Sequence, residues 1–281
     1  MMRRREFVAA LAAASTAMAQ EKVERKGRLK QCVTRGVFAR DMPFEETCRI
    51  AARLGCKGYD LVEPADWPTL KKYGLLSTMY PAGAGGTITD ALNRKENHDR
   101  IEKSIRAAID LSAANGAPNV ITFSGNRRGM SDAEGADNCV AFLNRIKSHA
   151  EDKGVTICME LLNSKVNHKD YMCDHTSWGV DVMKRVNSPR VKLLYDIYHL
   201  QIMEGDIVRT IRENLPWIAH FHTGGNPGRH EIDDTQELNY RFIAKSIADL
   251  GFTGYVAHEY SPAPGRDPIK SLDQALEIFD V

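Results

Sequence analysis

The chain has 281 residues and a formal net charge of +1, with 43% hydrophobic and 27% charged residues. This length can bury a substantial core, as one large α/β domain or two small ones, and the composition is typical of a soluble globular enzyme. The near-neutral charge argues against nucleic acid or an anionic membrane as a partner, because neither would find a broad basic surface.

The first twenty residues, "MMRRREFVAALAAASTAMAQ", have a basic head, an apolar stretch and an Ala-Met-Ala end. This layout is typical of a secretory signal, and the arginine pair at residues 4 and 5 resembles a twin-arginine export signal. We expect residues 1–19 to be the signal peptide, residues 20–281 to be the folded domain, and the protein to be periplasmic. An attached amphipathic helix is the alternative and would leave the protein cytoplasmic. No later segment approaches 18 consecutive apolar residues, so no membrane span is predicted.

The cysteines are scattered along the chain and form no Cys-x-x-Cys motif. Neither a zinc ribbon nor a thioredoxin-type site is therefore predicted. A chain of this size does not need disulfides, and a twin-arginine substrate folds in the reducing cytoplasm before export. We expect buried free thiols. The cysteines are Cys32, Cys48, Cys56, Cys139, Cys158 and Cys173.

From residue 29 onward, short β-rich runs alternate with longer amphipathic runs. Predicted strands are Leu29–Val33, Gly58–Val62, Leu75–Tyr80, Asn119–Phe123, Val155–Leu161, Val191–Tyr195, Ile218–His222 and Tyr255–Glu259. Predicted helices include Phe44–Leu54, His98–Ala114, Gly135–Lys153, Thr176–Val186, Asp206–Asn214 and Leu238–Leu250.

This alternation predicts a parallel sheet covered by helices. About eight strand–helix units match a closed (β/α)8 barrel better than an open doubly wound sheet. No Gly-x-Gly-x-x-Gly follows the first strand, which disfavours a dinucleotide-binding fold. The sequence therefore predicts one α/β domain, a single (β/α)8 barrel.

Four consecutive strands near the C-terminus end in residues that can carry chemistry. Strand five presents Glu160, strand six Asp196, strand seven His222 and strand eight Glu259. A single acid at a strand end is most often a helix cap, and a lone strand histidine is usually a hydrogen-bonded core residue. The prediction of an active site therefore depends on all four residues occurring together. Barrel enzymes place their active sites at the carboxyl ends of the strands, which is where these four residues fall.

Three carboxylates and an imidazole in one barrel mouth would repel one another, since adjacent strands lie about 4.8 Å apart. A divalent cation removes both this repulsion and the cost of burying the charges. The mixed oxygen and nitrogen set suits Mn²⁺ or Mg²⁺ and tolerates Co²⁺ or Zn²⁺. We therefore predict one divalent metal ion per chain.

The segment "AHFHTGGNPGRHE" at residues 219–231 holds two histidines on one strand. Because side chains alternate along a strand, His220 and His222 face the same side. His222 lies nearer the carboxyl end and is assigned to the metal, and His220 to the floor of the site, behind the ligands. His258 precedes Glu259 and faces the opposite side, so a structural role is predicted for it.

A glycine-rich bend follows His222 in this segment. Gly224, Gly225 and Gly228 allow the backbone to bend back over the barrel mouth. Arg229 then offers a planar donor fork to a carboxylate or to vicinal hydroxyls. The segment is predicted to combine a metal ligand, a flexible turn and a substrate clamp.

These motifs resemble those of the xylose-isomerase-like TIM barrels, in particular the hydroxypyruvate isomerase and ketose 3-epimerase branch. The resemblance extends over essentially the whole chain beyond the signal, and its specificity lies in the ordered set of strand ends. The matching stretches are "MELLN" (159–163), "YDIYH" (195–199), "HFHTGGNPGRHE" (220–231), "HEYSP" (258–262) and the loop "FSGNRRG" (123–129).

The resemblance implies metal ligands at the four strand-end residues and substrate contacts from His199 and Arg229. "NPGRHE" is similar to the arginine loop of the isomerase branch. Hydroxypyruvate isomerases often carry glutamine where this chain has His222, whereas the epimerases carry histidine. The resemblance therefore leaves the sugar or keto acid open. Barrels of this family commonly pair, which implies a homodimer or homotetramer.

The chemistry implied is a proton transfer beside a carbonyl. Either Glu160 or Glu259 would remove a proton from the substrate, a ketose or a small hydroxy-keto compound, and the other would return it through an enediolate. Isomerisation and epimerisation differ only in where the proton returns. A hydride shift would need two metals, and the sequence offers no second ligand set.

Three alternatives start from the same residues. Proton abstraction followed by loss of a β-substituent would make the protein a metal-dependent lyase acting on a 3-keto-glycoside. Apurinic endonucleases share this barrel, but they need a three-metal, histidine-rich site and a basic groove. A binding module that had lost catalysis would usually lack one of the four strand-end residues.

Overall fold

A computed structural model describes residues 22–281. The predicted signal peptide, residues 1–19, and the predicted start of the domain at residue 20 lie outside the described residues, so signal, domain start and export stay predictions. Within the described part of the chain, no helix combines the length and apolarity needed to cross a membrane.

Residues 22–281 fold around eight parallel strands that close into a barrel in chain order, with β8 paired to β1. The strands are β1 Lys30–Val33, β2 Gly58–Asp60, β3 Leu76–Gly85, β4 Asn119–Thr122, β5 Thr156–Leu161, β6 Val191–Asp196, β7 Ile218–Thr223 and β8 Tyr255–His258. This confirms the predicted single (β/α)8 barrel. Each predicted strand is present, and β3 runs five residues beyond its predicted end.

The helices lie between the strands and surround the barrel. They are α1 Phe44–Arg53, α2 Trp67–Lys72, α3 His98–Asn115, α4 Asp132–Lys153, α5 Thr176–Val186, α6 Ile197–Met203, α7 Ile207–Asn214, α8 Tyr240–Asp249 and α9 Pro268–Ile278. The predicted helices are all present, whereas α2, α6 and α9 were not among them.

The hydrophobic pattern did not predict these three helices, for different reasons. Helix α2 has six residues and α6 has seven, which is too short to show a clear 3.6-residue period. Helix α9 has a recognisable start, because the Asp267 side chain accepts hydrogen bonds from two backbone N–H groups and Pro268 occupies the first turn. That Asp-Pro pair is a helix-start signal in the sequence.

All six cysteines are buried and free, as predicted. Burial raises the pKa of Cys48 to about 11 and that of Cys56 to about 12. Thiols in such surroundings stay protonated and unreactive at neutral pH. They contribute to the core as small apolar side chains.

The first prediction concerns the packing of β2 against β3. A methyl group on Gly58 would lie 2.4 Å from Thr78 Cγ2 and 2.6 Å from the Leu76 carbonyl oxygen. We therefore expect Gly58→Ala to lower the free energy of unfolding by about 1–3 kcal/mol, measured by urea denaturation. Gly36→Ala is the control, because its new methyl group would come no closer than 3.4 Å to any atom. Equal midpoints for the two variants would refute the packing argument.

Candidate active site

Four side chains meet at the carboxyl ends of β5 to β8. Glu160 lies near the end of β5, Asp196 ends β6, His222 lies in β7, and Glu259 directly follows β8. Each offers one ligand atom, and these four atoms all lie within 4.8 Å of one another. Glu160, Asp196 and His222 are buried, and the Glu259 side chain is 26% exposed. The structure thus brings together the set that the strand ends predicted.

Asp196 is both a helix cap and a member of this cluster. Its Oδ1 accepts hydrogen bonds from the backbone N–H groups of Tyr198, at 2.9 Å, and His199, at 3.4 Å, at the start of α6. These bonds fix the orientation of the carboxylate. Its Oδ2 accepts a hydrogen bond from Arg229 Nη2 at 2.6 Å.

His222 is oriented by a carboxylate on the far side of the barrel. Its Nε2 lies 3.0 Å from Asp60 Oδ2, so Asp60 holds a proton on Nε2. Nδ1 then points towards the cluster, 3.4 Å from Glu160 and 2.7 Å from Glu259, and is buried without a hydrogen bond. A histidine whose second nitrogen is bonded to a carboxylate is the usual arrangement of a metal-ligating imidazole. The donor set therefore fits a divalent cation.

Asp60 was not found from the sequence. It ends β2, is buried, and also receives His220 Nε2 at 2.7 Å and the hydroxyl of Thr78. Burial opposes its ionisation, but the contacts from His220 and His222 outweigh this effect and hold the pKa of Asp60 well below its usual range. Asp60 lies at the carboxyl end of β2, so its position in the sequence is a signal of the same kind as that of the four residues on the last four strands.

His220 lies one step deeper than His222, as the alternation along β7 predicts. The two ring centroids are 5.2 Å apart, and both rings contact Asp60 Oδ2. His220 therefore lies behind the cluster, where it contacts both Asp60 and the His222 ring. His258 faces the other side of its strand, where Thr223 Oγ1 and Gln31 Oε1 lie 3.0 Å from its two ring nitrogens.

The two glutamates experience different electrostatic surroundings. Burial raises the pKa of Glu160 to about 7. Burial acts on Glu259 in the same direction, but the charges of Arg229 and His222 outweigh it and hold its pKa well below the usual range. Burial would lower the pKa of His222, yet the neighbouring carboxylates raise it well above its ordinary value. The cluster therefore attracts positive charge.

Arg229 supplies part of that charge. Its Nη2 lies 2.6 Å from Asp196 Oδ2 and 2.6 Å from Glu259 Oε2, and its guanidinium stacks 5.1 Å from the centre of the Tyr198 ring. Its Nη1 lies 2.8 Å from His199 Nε2. Arg229 thus borders the cluster, and its guanidinium bridges two of the predicted metal ligands.

The segment from residue 224 to residue 231 is a turn that backbone hydrogen bonds hold together. Gly225 donates its N–H to the His230 carbonyl at 2.9 Å, and Arg229 donates its own to the Gly225 carbonyl at 2.8 Å. Gly225 is required by close approach, because a Cβ there would lie 2.0 Å from the Glu231 carbonyl oxygen. Gly228 has a φ of +94°, a conformation that favours glycine.

His199 lies in α6, directly after β6. It is fully buried, with Nε2 3.6 Å from Asp196 Oδ2. Its other nitrogen, Nδ1, faces the backbone and side chain of Asn163. His199 and Arg229 therefore lie side by side at the edge of the cluster.

A closed eight-stranded barrel with three acids and a histidine at one end defines the class to which the chain belongs. A sequence profile of the family described as "Xylose isomerase-like TIM barrel" matches residues 49–280. The chain is a member of this family, as its motifs predicted.

Curated relatives and solved structures are similar to different extents. "Putative hydroxypyruvate isomerase" from Danio rerio is 33% identical over 99 residues, which is 35% of this chain and 36% of that protein. The chain thus matches only about a third of that relative's length. "2-Oxo-tetronate isomerase" from Haemophilus influenzae is 27% identical over 236 residues, covering 79% of this chain and 89% of that protein.

Among solved structures, an "AP endonuclease, family 2" from Brucella melitensis has a TM-score of 0.77 and 25% identity. The match covers 87% of this chain and 96% of that one. The similarity extends over most of the barrel.

The second prediction tests the four-residue cluster as a metal site. We expect one Mn²⁺ per chain after metal removal and reloading, measured by mass spectrometry of bound metal and by titration calorimetry. Asp196→Ala and His222→Ala should abolish binding, because each removes one of four ligands. His175→Ala changes an exposed histidine and should bind as the wild type does. Metal binding that survives both cluster variants would exclude this site.

The third prediction concerns Asp60. Asp60→Asn keeps the size of the side chain but removes the charge that holds His222 in place, so metal affinity should fall about 10–100-fold. Asp66→Asn makes the same charge change at an exposed position and should leave the affinity unchanged. Equal metal affinities in the two variants would show that Asp60 does not support metal binding through His222.

Proposed function

We propose that this protein is a divalent-metal-dependent isomerase that moves a proton between adjacent carbons of a small hydroxy-keto acid. The observation that carries the proposal is the placement of two glutamates, Glu160 and Glu259, in one cluster with Asp196 and His222. The relative named 2-oxo-tetronate isomerase supports the substrate class, because its match covers most of both chains.

Glu160, Asp196, His222 and Glu259 would hold the metal. When bound, a divalent cation would polarise the substrate carbonyl and stabilise negative charge on the oxygens of the enediolate. The remaining chemistry belongs to the side chains of this protein.

One glutamate accepts the proton from the hydroxyl-bearing carbon next to the carbonyl. The electrons of that C–H bond form the new C=C bond, and the carbonyl electrons move to oxygen. The other glutamate, protonated at the start, delivers its proton to the former carbonyl carbon. The proton of the original hydroxyl is transferred to the former carbonyl oxygen, so the original hydroxyl oxygen becomes the new carbonyl and the old carbonyl becomes a hydroxyl. The two glutamates exchange roles with the direction of reaction, so neither is assigned as base alone.

Arg229 and His199 would bind and orient the substrate. A cavity of about 410 Å³, lined in part by Asp60, Arg229 and Glu259, opens beside the cluster. This volume suits a small molecule. The guanidinium fork of Arg229 matches a carboxylate, the group that distinguishes a hydroxy-keto acid from a simple ketose.

Two other activities would give products that an assay can distinguish from the product of isomerisation. Elimination from a 3-keto-glycoside begins with the same proton abstraction and would release the aglycone. Cleavage of abasic DNA would follow the name of the Brucella melitensis protein. The net charge of +1 does not favour a polyanionic substrate.

The fourth prediction tests the glutamates as proton carriers. With Mn²⁺ and hydroxypyruvate in D₂O, the wild type should place solvent deuterium on the carbon next to the carbonyl, detected by NMR. Glu160→Gln and Glu259→Gln keep an oxygen ligand but lose the basic carboxylate, so turnover should fall about 10²-fold or more while much of the metal is retained. The double variant should lose far less than the product of the two effects.

Asp196→Asn serves as the comparison, because Asp196 is proposed to ligate and not to carry protons. Excess Mn²⁺ should restore part of its activity, whereas it should not restore the glutamine variants. Near-wild-type turnover in either glutamine variant would refute the two-glutamate mechanism. Aglycone release without deuterated isomer would establish the lyase instead.

A further inference from the structure

The ring of His199 is surrounded by more hydrogen-bond donors than a neutral imidazole can accept. Its Nδ1 faces the backbone N–H of Asn163 at 3.2 Å and the side-chain amide nitrogen of Asn163 at 2.6 Å. Its Nε2 faces Arg229 Nη1 at 2.8 Å. A neutral imidazole has one bare nitrogen, so only one of these sides can be satisfied.

The orientation of the Asn163 amide is fixed by the turn that follows β5. Its Oδ1 accepts the backbone N–H groups of Val166, at 3.0 Å, and Asn167, at 2.9 Å. Its Nδ2 also donates to Asn167 Oδ1 at 2.8 Å. Turning the amide over would place its NH₂ group against two backbone donors and sacrifice three hydrogen bonds. The NH₂ group therefore faces His199.

Two donors, one of them a backbone group that cannot move away, thus point at Nδ1. The opposite nitrogen faces the end of the long, partly exposed Arg229 side chain, and an acceptor, Asp196 Oδ2, lies 3.6 Å from it. Leaving Nδ1 unable to accept a hydrogen bond would therefore cost more than leaving Nε2 unable to accept one. The neutral ring must carry its proton on Nε2.

We propose that Asn163 is a positioning residue that holds His199 as the Nε2–H tautomer, and so makes this ring a hydrogen-bond donor to the substrate. The proposal rests on the proposed function for the identity of that substrate. It follows that His199 Nε2–H and Arg229 Nη1–H are two donors whose nitrogens lie 2.8 Å apart. An oxygen acceptor of the substrate within hydrogen-bond distance of both nitrogens would satisfy both.

The two buried donors, on His199 and Arg229, are both satisfied only when an acceptor is bound. They therefore favour a substrate that has an oxygen next to both nitrogens. A substrate analogue without the oxygen would leave both donors unpaired in a buried site, which is costly. Asn163 never touches the substrate in this arrangement. It acts through the His199 ring.

The test compares the wild type with Asn163→Asp and Asn163→Ser. Aspartate keeps the acceptor for the two backbone N–H groups but replaces the amide donor by an oxygen, so Nδ1 should gain the proton. Serine also keeps an acceptor for the turn and places no acceptor at Nδ1, so Nε2 should keep the proton. The ¹⁵N spectra of the imidazole nitrogens, recorded at a pH at which the ring is neutral, distinguish these states. His199→Gln identifies the His199 signals among the nine histidines.

We expect a bare Nδ1 in the wild type and in Asn163→Ser, and a protonated Nδ1 in Asn163→Asp. The KM for the substrate should rise about tenfold in Asn163→Asp, more than kcat falls, and change little in Asn163→Ser. A protonated Nδ1 in the wild type, or the same tautomer in wild type and Asn163→Asp, would overturn the proposal. An inverted tautomer with unchanged KM would overturn the role in substrate binding.

The spectra need no substrate, so they decide the tautomer even if hydroxypyruvate is not turned over. Failure of the wild type on every hydroxy-keto acid would refute the proposed function alone. The two conclusions can therefore fail separately.

Discussion

Mutual repulsion among buried carboxylates is the constraint to which the rest of this site conforms. Asp60, Glu160, Asp196 and Glu259 all converge on His222 at one end of a barrel. Ionised carboxylates in such surroundings are costly unless positive charge or hydrogen-bond donors compensate them. The contacts of each acid show how this compensation is achieved.

The compensation is divided between the two sides of His222. Below the ring, Asp60 is balanced by His220, by the Thr78 hydroxyl and by His222 itself. Above the ring, Asp196 gives one oxygen to the α6 N-terminus and the other to Arg229, which also contacts Glu259. The imidazole therefore lies between a lower group of polar side chains around Asp60 and the upper cluster at the carboxyl ends of β5 to β8.

The sequence predicted the barrel well because its strand–helix alternation is regular. The four strand-end residues followed from the same regularity, since parallel strands bring their carboxyl ends to one edge. Asp60 could have been found by the same argument. The proposed role of Asn163 could not have been found in this way, because it depends on the orientation of a side-chain amide within a turn. Similarly, a pattern cannot show that the bend after β7 is held by backbone hydrogen bonds or that Arg229 reaches two carboxylates.

The double contact of Arg229 would couple cation binding to substrate binding. Its guanidinium and a divalent cation would compete for Asp196 and Glu259, since each neutralises the same oxygens. Under the proposed function, a partner that draws Arg229 away from these oxygens would strengthen cation binding. By thermodynamic reciprocity, the cation would strengthen the binding of that partner by the same factor. A substrate carboxylate would be such a partner. Occupancy of the two ligands would then be cooperative, and the arginine would act as an internal counter-ion that the two ligands together displace.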